Sequence, residues 1–379
     1  MLEKQERLLR RDHHSNTSSR GRRPVRTVPR HLPINPPRNQ LRQPSSLQET
    51  IKVGATDSPG FAYHCPVNYD LIGDIHGHSE PLLELLQKLD YRATGGVFRH
   101  PDRKVIFLGD FIDRGPRQHE VIEIVRPMID EGAALSVMGN HEFNAIAYFT
   151  PDPDDPGKHL RVHSNKNQNQ HAVFLDAYDG SDSYPEIISW FRTLPLWLDL
   201  PGLRVVHACW DERLMQFLLD RYPTVNQYLD DDLLVRASRK DAEEYKAIET
   251  LLKGKEVAMP AGLTFNDKDG NPRHHVRVRW FDGEPRTYRE AFFGPESARS
   301  HIPEDPIDTD YLIEYTKDGP PVFVGHYWLD DELNVLAPNV ACLDYSVAAR
   351  SGGRLVAYRW DGEQQLSKDK FEFVLRAAD

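Results

Sequence analysis

The chain has 379 residues and is 39% hydrophobic, which leaves room for one large domain with insertions or for two domains. Its formal net charge is −11, although residues 1–60 carry 12 Lys and Arg against 5 Asp and Glu, and the acidic remainder argues against broad nucleic-acid binding. Three scattered cysteines argue against a disulfide framework, and no run approaches the ~18 apolar residues that span a bilayer, so a cytoplasmic protein is expected.

Residues 1–66 form the first segment, and they are rich in Arg, Pro, Ser and Asn. Hydrophobic periodicity is absent there, which is typical of a disordered basic extension. A solvated extension without a function of its own is the simpler interpretation. A tail that binds nucleic acid or an acidic partner is the alternative, and it is the one exception to the expectation that the protein does not bind nucleic acid.

A regular alternation of strand-length and helix-length segments begins at Tyr69. The first strand is YDLIGD, and the next segment, SEPLLELLQKL, predicts a helix because its leucines fall on one face and Ser79 can cap it. The elements that follow are a strand at 104–110, a helix at 120–132, a strand at 134–140 and a short helix from about Glu142. This β-α-β-α-β order predicts a mostly parallel central sheet covered by helices.

Further strands are predicted in the second half of the chain, at 203–208, 321–326, 339–346 and 354–360. Two stretches interrupt the pattern, at about 151–200 and 212–320. The first is polar and then helical, whereas the second contains charged helices at 211–253 and a hairpin with the turn signal Asp269-Gly270-Asn271. We therefore predict one domain at 67–379 with two inserted segments.

Side chains that can bind a metal ion stand at the carboxyl ends of five of these strands. Glycine adjoins most of them, which lets the backbone turn sharply and approach a ligand. Because the carboxyl ends of parallel strands lie along one edge of a sheet, these side chains can converge on one place. They are Asp74, His76, Asp110, Asn140, His207 and His326.

The six side chains mix carboxylate, imidazole and amide donors. Such a mixture suits Mn²⁺, Fe or Zn²⁺, whereas Ca²⁺ prefers nearly all-oxygen ligands. Six donors exceed the needs of one catalytic ion with open positions, but two ions about 3.5–4 Å apart that share a carboxylate use them naturally. We therefore expect two divalent metal ions, with Mn²⁺ favoured, that activate a water molecule and attract a phosphate.

Each motif taken alone has an ordinary structural explanation, such as a helix cap or a hydrogen-bonded histidine, but five of them in order do not. The chain resembles the calcineurin-like metallophosphoesterases in GDIHG (73–77), GDFIDRG (109–115), GNHE (139–142), His207 and Gly325-His326. More narrowly, it resembles the branch that holds Ser/Thr phosphoprotein phosphatases and bacterial diadenosine tetraphosphatase-like enzymes. The resemblance covers roughly 67–211 and 320–375. It implies an α/β fold, a β-sandwich flanked by helices, with inserted cap segments.

The resemblance also implies how the six strand-end residues divide between two metal ions. The first ion would be held by Asp74 and His76, the bridge would be Asp110, and the second ion would be held by Asn140, His207 and His326.

Three further residues would carry out the chemistry in this resemblance. His141 would be the general acid that protonates the leaving oxygen, and Asp113 would orient its ring. Arg114 would bind the phosphate. These residue types suit the roles. An arginine can donate two parallel hydrogen bonds to phosphate oxygens, and a positioned histidine that acts as a general acid typically raises the rate ~10²–10⁴-fold.

The sequence leaves the substrate open. The stretch Gly325-His326-Tyr327-Trp328 lacks the last histidine of the Gly-His-x-His found in nuclease-like members, which favours a phosphatase. The second phosphate-binding arginine of the phosphoprotein phosphatases has no evident match. A phosphoprotein or small phosphomonoester and a nucleotide such as diadenosine tetraphosphate are the candidate substrates. A catalytically silent phosphate-binding scaffold on the same fold and a metallo-nuclease are the alternative functions.

Two basic segments within the insertions could contact a substrate. His275, Arg277 and Arg279 alternate with apolar residues, so they could form the basic face of a lid strand. A solvated strand face over a small apolar core is the favoured alternative. For residues 159–163, a substrate-facing basic loop and an ordinary surface are equally consistent with the sequence.

Overall fold

The computed structural model describes residues 68–266, 272–283, 286–308, 313 and 315–377. The predictions for the extension at 1–66 and for the turn at 269–271 lie outside these residues. In the first half of the chain the elements are β1 (Asn68–Ile72), α1 (Ser79–Lys88), β2 (Arg92–Thr94), β3 (Val97–Arg99), β4 (Arg103–Phe107), α2 (Gln118–Asp130), β5 (Ala134–Ser136), α3 (Asn140–Phe149), α4 (Asn165–Tyr178), α5 (Ser183–Phe191), β6 (Trp197–Leu200) and β7 (Leu203–Val206). In the second half they are α6 (Glu212–Arg221), α7 (Asp231–Ala237), α8 (Glu243–Lys253), β8 (Glu256–Ala258), β9 (Phe265–Asn266), β10 (Pro272–Arg273), β11 (His275–Arg277), α9 (Tyr288–Ala291), α10 (Glu296–Arg299), β12 (Val322–Val324), β13 (Val340–Cys342), β14 (Asp344–Tyr345), β15 (Arg354–Trp360) and β16 (Phe371–Leu375).

The first sheet is built on the predicted β-α-β-α-β unit. β1 is parallel to β4, and β4 is parallel to β5, as the sequence predicts. On the other side of β1 lies β15, which is antiparallel to β1 and also pairs with β14 and β16. Helix α1 packs against β15 and β16, and α2 packs against β5. The parallel prediction therefore holds for three strands, and antiparallel strands complete the sheet.

The second sheet contains the strands that the sequence predicts at 203–208 and 321–326. β12 is parallel to both β7 and β13, and β6 is antiparallel to β7. The expectation that all the strand ends lie along one sheet edge is therefore wrong. Strands buried on both faces give the same apolar pattern in either sheet, so the pattern does not assign them to one. Phe323 of β12 packs against Tyr358 of β15 with ring centroids 5.1 Å apart, and the two sheets share one core, which confirms the β-sandwich flanked by helices.

The helices begin close to the predicted positions, with one correction. Ser79 is not the cap of α1, because the helix begins at Ser79 and His78 holds the capping position. The Ser79 hydroxyl instead donates a hydrogen bond to Glu120 at 2.5 Å, which joins α1 to α2. Helix α3 begins at Asn140, two residues before the predicted start. Within the described part of the chain, no helix has the length and apolar character required to traverse a bilayer.

The second predicted insertion contains a small hydrophobic core of its own. Its buried members are Met259, Val276, Val278, Tyr288, Ala291, Phe292, Ile302 and Ile307. β9 pairs with β10 as the predicted hairpin, whereas β11 pairs with β8. The division of the domain into a body and two insertions stays a prediction.

Candidate metal centre

The side chains at the strand ends gather around the carboxylate of Asp110. Asp110 Oδ2 lies 3.4 Å from His207 Nε2, 3.7 Å from His76 Nε2 and 3.9 Å from His141 Nε2. Asp110 belongs to two groups whose ligand atoms lie within 4.8 Å of one another, one with His76 and His141 and the other with His207 and His326. One carboxylate is therefore common to two sets of potential metal donors.

Asp74 and Asn140 lie beside these two groups. Asp74 Oδ2 is 4.0 Å from His76 Nε2 and accepts a hydrogen bond from the backbone N–H of His326 at 3.1 Å. Asn140 Oδ1 is 3.4 Å from His207 Nε2. The six predicted residues thus lie together, although they come from the loops of two sheets instead of one sheet edge.

The histidine rings are oriented so that their Nε2 atoms face the centre. His76 Nδ1 lies 3.0 Å from the carbonyl oxygen of Ile112, and His207 Nδ1 lies 2.6 Å from that of Leu108. A carbonyl oxygen only accepts, so each Nδ1 carries a proton, and each Nε2 is the nitrogen that can bind a cation once it carries no proton. The Nε2 atoms of His76 and His326 are buried without a hydrogen-bond partner among the described residues. Buried lone pairs that converge beside carboxylates fit a divalent cation.

Left-handed backbone conformations and one glycine bring these loops together. His76, Asp110 and His326 have φ values of 48°, 51° and 71°, which are uncommon for residues other than glycine. A Cβ at Gly325 would lie 2.1 Å from Asp74 Oδ1, so only glycine lets the loop after β12 approach the loop after β1 this closely. Strained positions of this kind cluster at functional sites.

The electrostatics of the centre are those of buried carboxylates and imidazoles that lie close together. Burial and the neighbouring Asp344 carboxylate raise the pKa of Asp74 well above its usual value. Burial also acts to raise the pKa of Asp110, but His207 and His141 outweigh it and hold that pKa well below the usual range. Burial lowers the pKa of His207, but the Asp110 charge and hydrogen bond raise it overall to about 10. A cation at this position would offset the cost of the buried negative charge.

His141 lies at the edge of the centre and contacts a second carboxylate. Its Nδ1 is 2.5 Å from Asp113 Oδ2, and its backbone N–H donates to Asp110 Oδ1 at 2.9 Å. The other oxygen of Asp113 lies 2.7 Å from His171 Nδ1, a contact that the sequence does not predict. Burial raises the pKa of Asp113, but the hydrogen bonds from the two histidines outweigh it and hold that pKa well below the usual range. His141 is thus oriented by an ionised carboxylate.

Arg114 is exposed beside the centre and stacks on an indole ring. Its guanidinium carbon lies 4.3 Å from the ring centroid of Trp328. The Trp328 ring is 6.0 Å from the ring of His76. Burial lowers the pKa of His76, and the charges of His141 and Arg114 add to this effect. A cationic side chain is therefore held at the open side of the centre.

Two buried acidic residues of the site were missed by the sequence reasoning. The Glu142 carboxylate accepts hydrogen bonds from the N–H groups of Asp110, Phe111 and Gly139 at 2.8–3.0 Å, and burial followed by the Asp110 charge raises its pKa to about 7. Asp344 accepts from the N–H of Trp328 at 2.8 Å and adds negative charge next to Asp74. A lone acid within the apolar run at 340–347 is the only sequence signal for Asp344.

The segment with His275, Arg277 and Arg279, predicted as a possible lid strand, forms a strand face over a small apolar core. Arg277 is the exception. Val276 and Val278 are buried in the small core, and Arg279 donates to the carbonyl oxygen of Leu336 at 3.2 Å, so Arg279 has a structural contact. Arg277 differs, because its charge is the largest contribution after burial to the lowered pKa of His326. The charge of Arg277 thus acts on the metal centre, and its Nε also lies 3.7 Å from Glu256 Oε1.

Residues 159–163 form a ring stack close to the same centre. His163 stacks on Tyr148 at 3.8 Å between centroids, and His159 stacks on His163 at 4.1 Å. Arg161 donates to Asn144 Oδ1 at 2.8 Å, and burial lowers its pKa while Glu249 and Asp113 act against this. These contacts account for the segment as packed surface, and a substrate-facing role for it stays a prediction.

Comparisons with known proteins relate the chain to phosphoesterases. The family model described as calcineurin-like phosphoesterase matches residues 68–327. The asymmetrical bis(5'-nucleosyl)-tetraphosphatase PrpE of Oceanobacillus iheyensis is 31% identical over 140 residues, which are 37% of this chain and 54% of that protein. PrpE of Halalkalibacterium halodurans is 43% identical over 76 residues, or 20% of this chain and 31% of that protein. The chain thus spans about half, or less, of the length of the curated relatives that it matches.

Solved structures show weaker likeness. A protein serine/threonine phosphatase from Saccharomyces cerevisiae has a TM-score of 0.41 and 15% identity, over 83% of this chain and 81% of that one. A cold-active protein-tyrosine phosphatase from a Shewanella species has a TM-score of 0.40 and 15% identity, over 81% and 80%.

Proposed function

The chain belongs to the calcineurin-like phosphoesterase family, and from this premise we propose that it is a metal-dependent phosphohydrolase that uses two divalent ions. The observation that supports the proposal most is the position of Asp110. Its carboxylate is common to two groups of buried donors, and two imidazole nitrogens beside it have no partner among the described residues. Donors for one ion would not need a shared carboxylate.

In this proposal the six strand-end residues divide into two ligand sets around Asp110. The first set is Asp74, His76 and Asp110, and the second is Asp110, Asn140, His207 and His326. The mixed donors favour Mn²⁺, with Fe or Zn²⁺ as alternatives. When bound, such ions lower the pKa of a water molecule and neutralise charge on a phosphate.

The chain's own residues then bind the substrate and move one proton. Arg114, supported by the Trp328 ring, binds phosphate oxygens. A water oxygen forms the new bond to phosphorus while the bond from phosphorus to the leaving oxygen breaks. His141 Nε2 gives its proton to the leaving oxygen, and the proton that the attacking water loses passes to solvent, from which His141 takes up a proton for the next turnover. Asp113 keeps the ring of His141 in position through Nδ1.

His141 is assigned as the acid although it lies close enough to ligate a cation. Its Nδ1 is held by a carboxylate, whereas the Nδ1 atoms of His76 and His207 face carbonyl oxygens. A negatively charged partner stabilises the ring when it carries a proton on each nitrogen, which is the form that an acid requires.

Dinucleoside polyphosphates are the substrate class that we favour over phosphoproteins. The curated relatives are bis(5'-nucleosyl)-tetraphosphatases by name, although the chain matches only part of them. Within this chain, the charge of Arg114 lowers the pKa of His76 and the charge of Arg277 lowers the pKa of His326. Two cationic side chains that act on the centre suit a chain of phosphates better than a single phosphate.

The proposal is tested by assaying the purified full-length protein with Mn²⁺ against p-nitrophenyl phosphate, a phosphopeptide and diadenosine tetraphosphate. We expect Mn²⁺-dependent hydrolysis, with the highest kcat/KM for diadenosine tetraphosphate. Asp110→Asn and His141→Ala should lower kcat by about 10² or more. Asp199→Asn, which removes an exposed carboxylate on β6, is the matched control.

Two outcomes would contradict this function. Equal hydrolysis by the wild type and both site variants would mean that the site is elsewhere. Tight binding of phosphate compounds by the wild type without turnover of any of them would favour the catalytically silent scaffold.

A further inference from the structure

His171 lies on the far side of Asp113 from His141, so one carboxylate joins two imidazoles. His171 Nδ1 is 2.7 Å from Asp113 Oδ1, and His141 Nδ1 is 2.5 Å from Asp113 Oδ2. Each carboxylate oxygen therefore has its own histidine. His171 belongs to α4, within the polar stretch where the sequence offers no functional motif, and it lies 58 residues after Asp113 in the chain.

The surroundings of His171 fix which of its nitrogens carries a proton. The ring is 4% exposed and packs between Phe174, at 4.7 Å, and Tyr148, at 5.5 Å. Its Nε2 is buried and has no hydrogen-bond partner among the described residues. A proton on Nε2 would leave that donor unsatisfied and would turn the Nδ1 lone pair toward a carboxylate, which is unfavourable on both counts. The proton therefore resides on Nδ1, and His171 donates to Asp113.

Helix α4 holds this donor rigidly. The helix begins after Ser164, whose hydroxyl accepts from the N–H of Asn167, and its buried residues are His171, Phe174 and Tyr178. These three recur at helical spacing and form one face. His171 thus occupies a core position on a helix of an otherwise polar segment. A phenylalanine of similar size would fill that position without the unpaired Nε2, but it would also remove the donor to Asp113 Oδ1.

We propose that His171 is a positioning residue for proton transfer: its Nδ1–H holds the Asp113 carboxylate in the plane from which Asp113 orients the ring of His141. The inference rests on the proposed function, because it concerns the acid of that reaction. Without this donor, the Asp113 carboxylate can rotate, and the Nε2 of His141 is no longer aimed at the leaving oxygen. The proton on that Nε2 is the one that the leaving oxygen takes up when its bond to phosphorus breaks.

The kinetic test compares leaving groups, because a good leaving group needs less protonation than a poor one. Wild type, His171→Phe and His171→Asn are assayed with Mn²⁺ on p-nitrophenyl phosphate and on phenyl phosphate. We expect His171→Phe to raise the ratio of kcat for p-nitrophenyl phosphate to kcat for phenyl phosphate about tenfold, a part of the ~10²–10⁴ that a positioned acid contributes. His171→Asn, whose amide can donate from a similar position, should return the ratio toward the wild-type value.

The control removes a different histidine that also contacts α4. His119 lies against the ring of Tyr178, 4.3 Å away, and is exposed. His119→Phe should leave the ratio within about twofold of the wild type, because the contacts that orient the general acid His141 remain in place. An equal loss on both substrates in His171→Phe, or the same change in ratio in His119→Phe, would show a merely structural role and overturn the proposal.

A second readout does not depend on activity. Long-range ¹H–¹⁵N spectra of the metal-free, ¹⁵N-histidine-labelled protein report the tautomer of each imidazole, and His171→Phe identifies the signal of His171. We expect His171 to carry its proton on Nδ1 and the signal of His141 to shift in the variant. A proton on Nε2 of His171 would overturn the inference even in an active enzyme. A wild type that hydrolyses none of the phosphate esters would instead contradict the proposed function, whatever the tautomer.

Discussion

Asp110→Asn should change how the stability of the metal-free protein depends on pH. Asp110 Oδ2 lies 3.4 Å from His207 Nε2, and both groups are buried. With an effective dielectric constant of about 20, a charge pair at that distance is worth about 5 kcal/mol. The rise of the pKa of His207 from 6.5 to about 10 corresponds to a similar energy, at about 1.4 kcal/mol per pKa unit.

The sign follows from the direction of this shift. A histidine whose pKa is higher in the folded state stabilises the fold fully below its unfolded pKa, near 6.5, and loses that contribution as the pH rises through about 10. Between pH 6.5 and pH 9 the wild type should therefore lose about 3 kcal/mol of unfolding free energy through this pair. Asn at position 110 removes the charge that raises this pKa most, so the variant should lack most of this loss.

The assay is guanidinium unfolding in EDTA at several pH values, with wild type and Asp110→Asn measured side by side. The difference between their unfolding free energies should shrink by about 3 kcal/mol from pH 6.5 to pH 9. Asp199→Asn should keep the wild-type slope, because its carboxylate is exposed and pairs with an arginine. Parallel curves for wild type and Asp110→Asn would refute the reasoning about the pair.

Three other predictions concern the ligands and the substrate. After gel filtration with Mn²⁺, His141→Ala should retain the wild-type metal content measured by mass spectrometry, whereas Asp74→Asn should lose bound metal; the reverse result would make His141 a ligand. Trp328→Ala should raise KM for p-nitrophenyl phosphate by about 2- to 30-fold, as expected for a lost cation–π contact of about 0.5–2 kcal/mol, and an unchanged KM would show that the ring does not support the neighbouring arginine. Arg277→Ala should raise KM for diadenosine tetraphosphate more than KM for p-nitrophenyl phosphate, whereas Arg279→Ala should mainly lower Tm; equal effects of both variants on both substrates would rule out a role of Arg277 in binding a phosphate chain.

The local part of the fold could be predicted from the sequence, because its signals are local. The apolar runs that became β1, β4 and β5 alternate with amphipathic helices, and that order specifies parallel pairing. The seven residues predicted as a strand at 354–360 are those of β15. Their pairing with β1 in the antiparallel sense depends on the return path of the chain, which no local pattern encodes.

The site could be predicted from the sequence only where its residues form local motifs. The strand-end residues could be found because each motif is contiguous, with a ligand next to a glycine or another ligand. His171 and Asp344 could not, because each is a single residue in an unremarkable context and reaches the site only through tertiary packing. Leu343 illustrates the same limit for the fold, since one apolar residue separates β13 of one sheet from β14 of the other.

Anomalous scattering from crystals grown with Mn²⁺ tests the central claim most directly. The account predicts two manganese peaks about 3.5–4 Å apart, with the Asp110 carboxylate between them. His76 would lie at the first peak, and His207 and His326 at the second. A single peak, or two peaks that do not share Asp110, would contradict it.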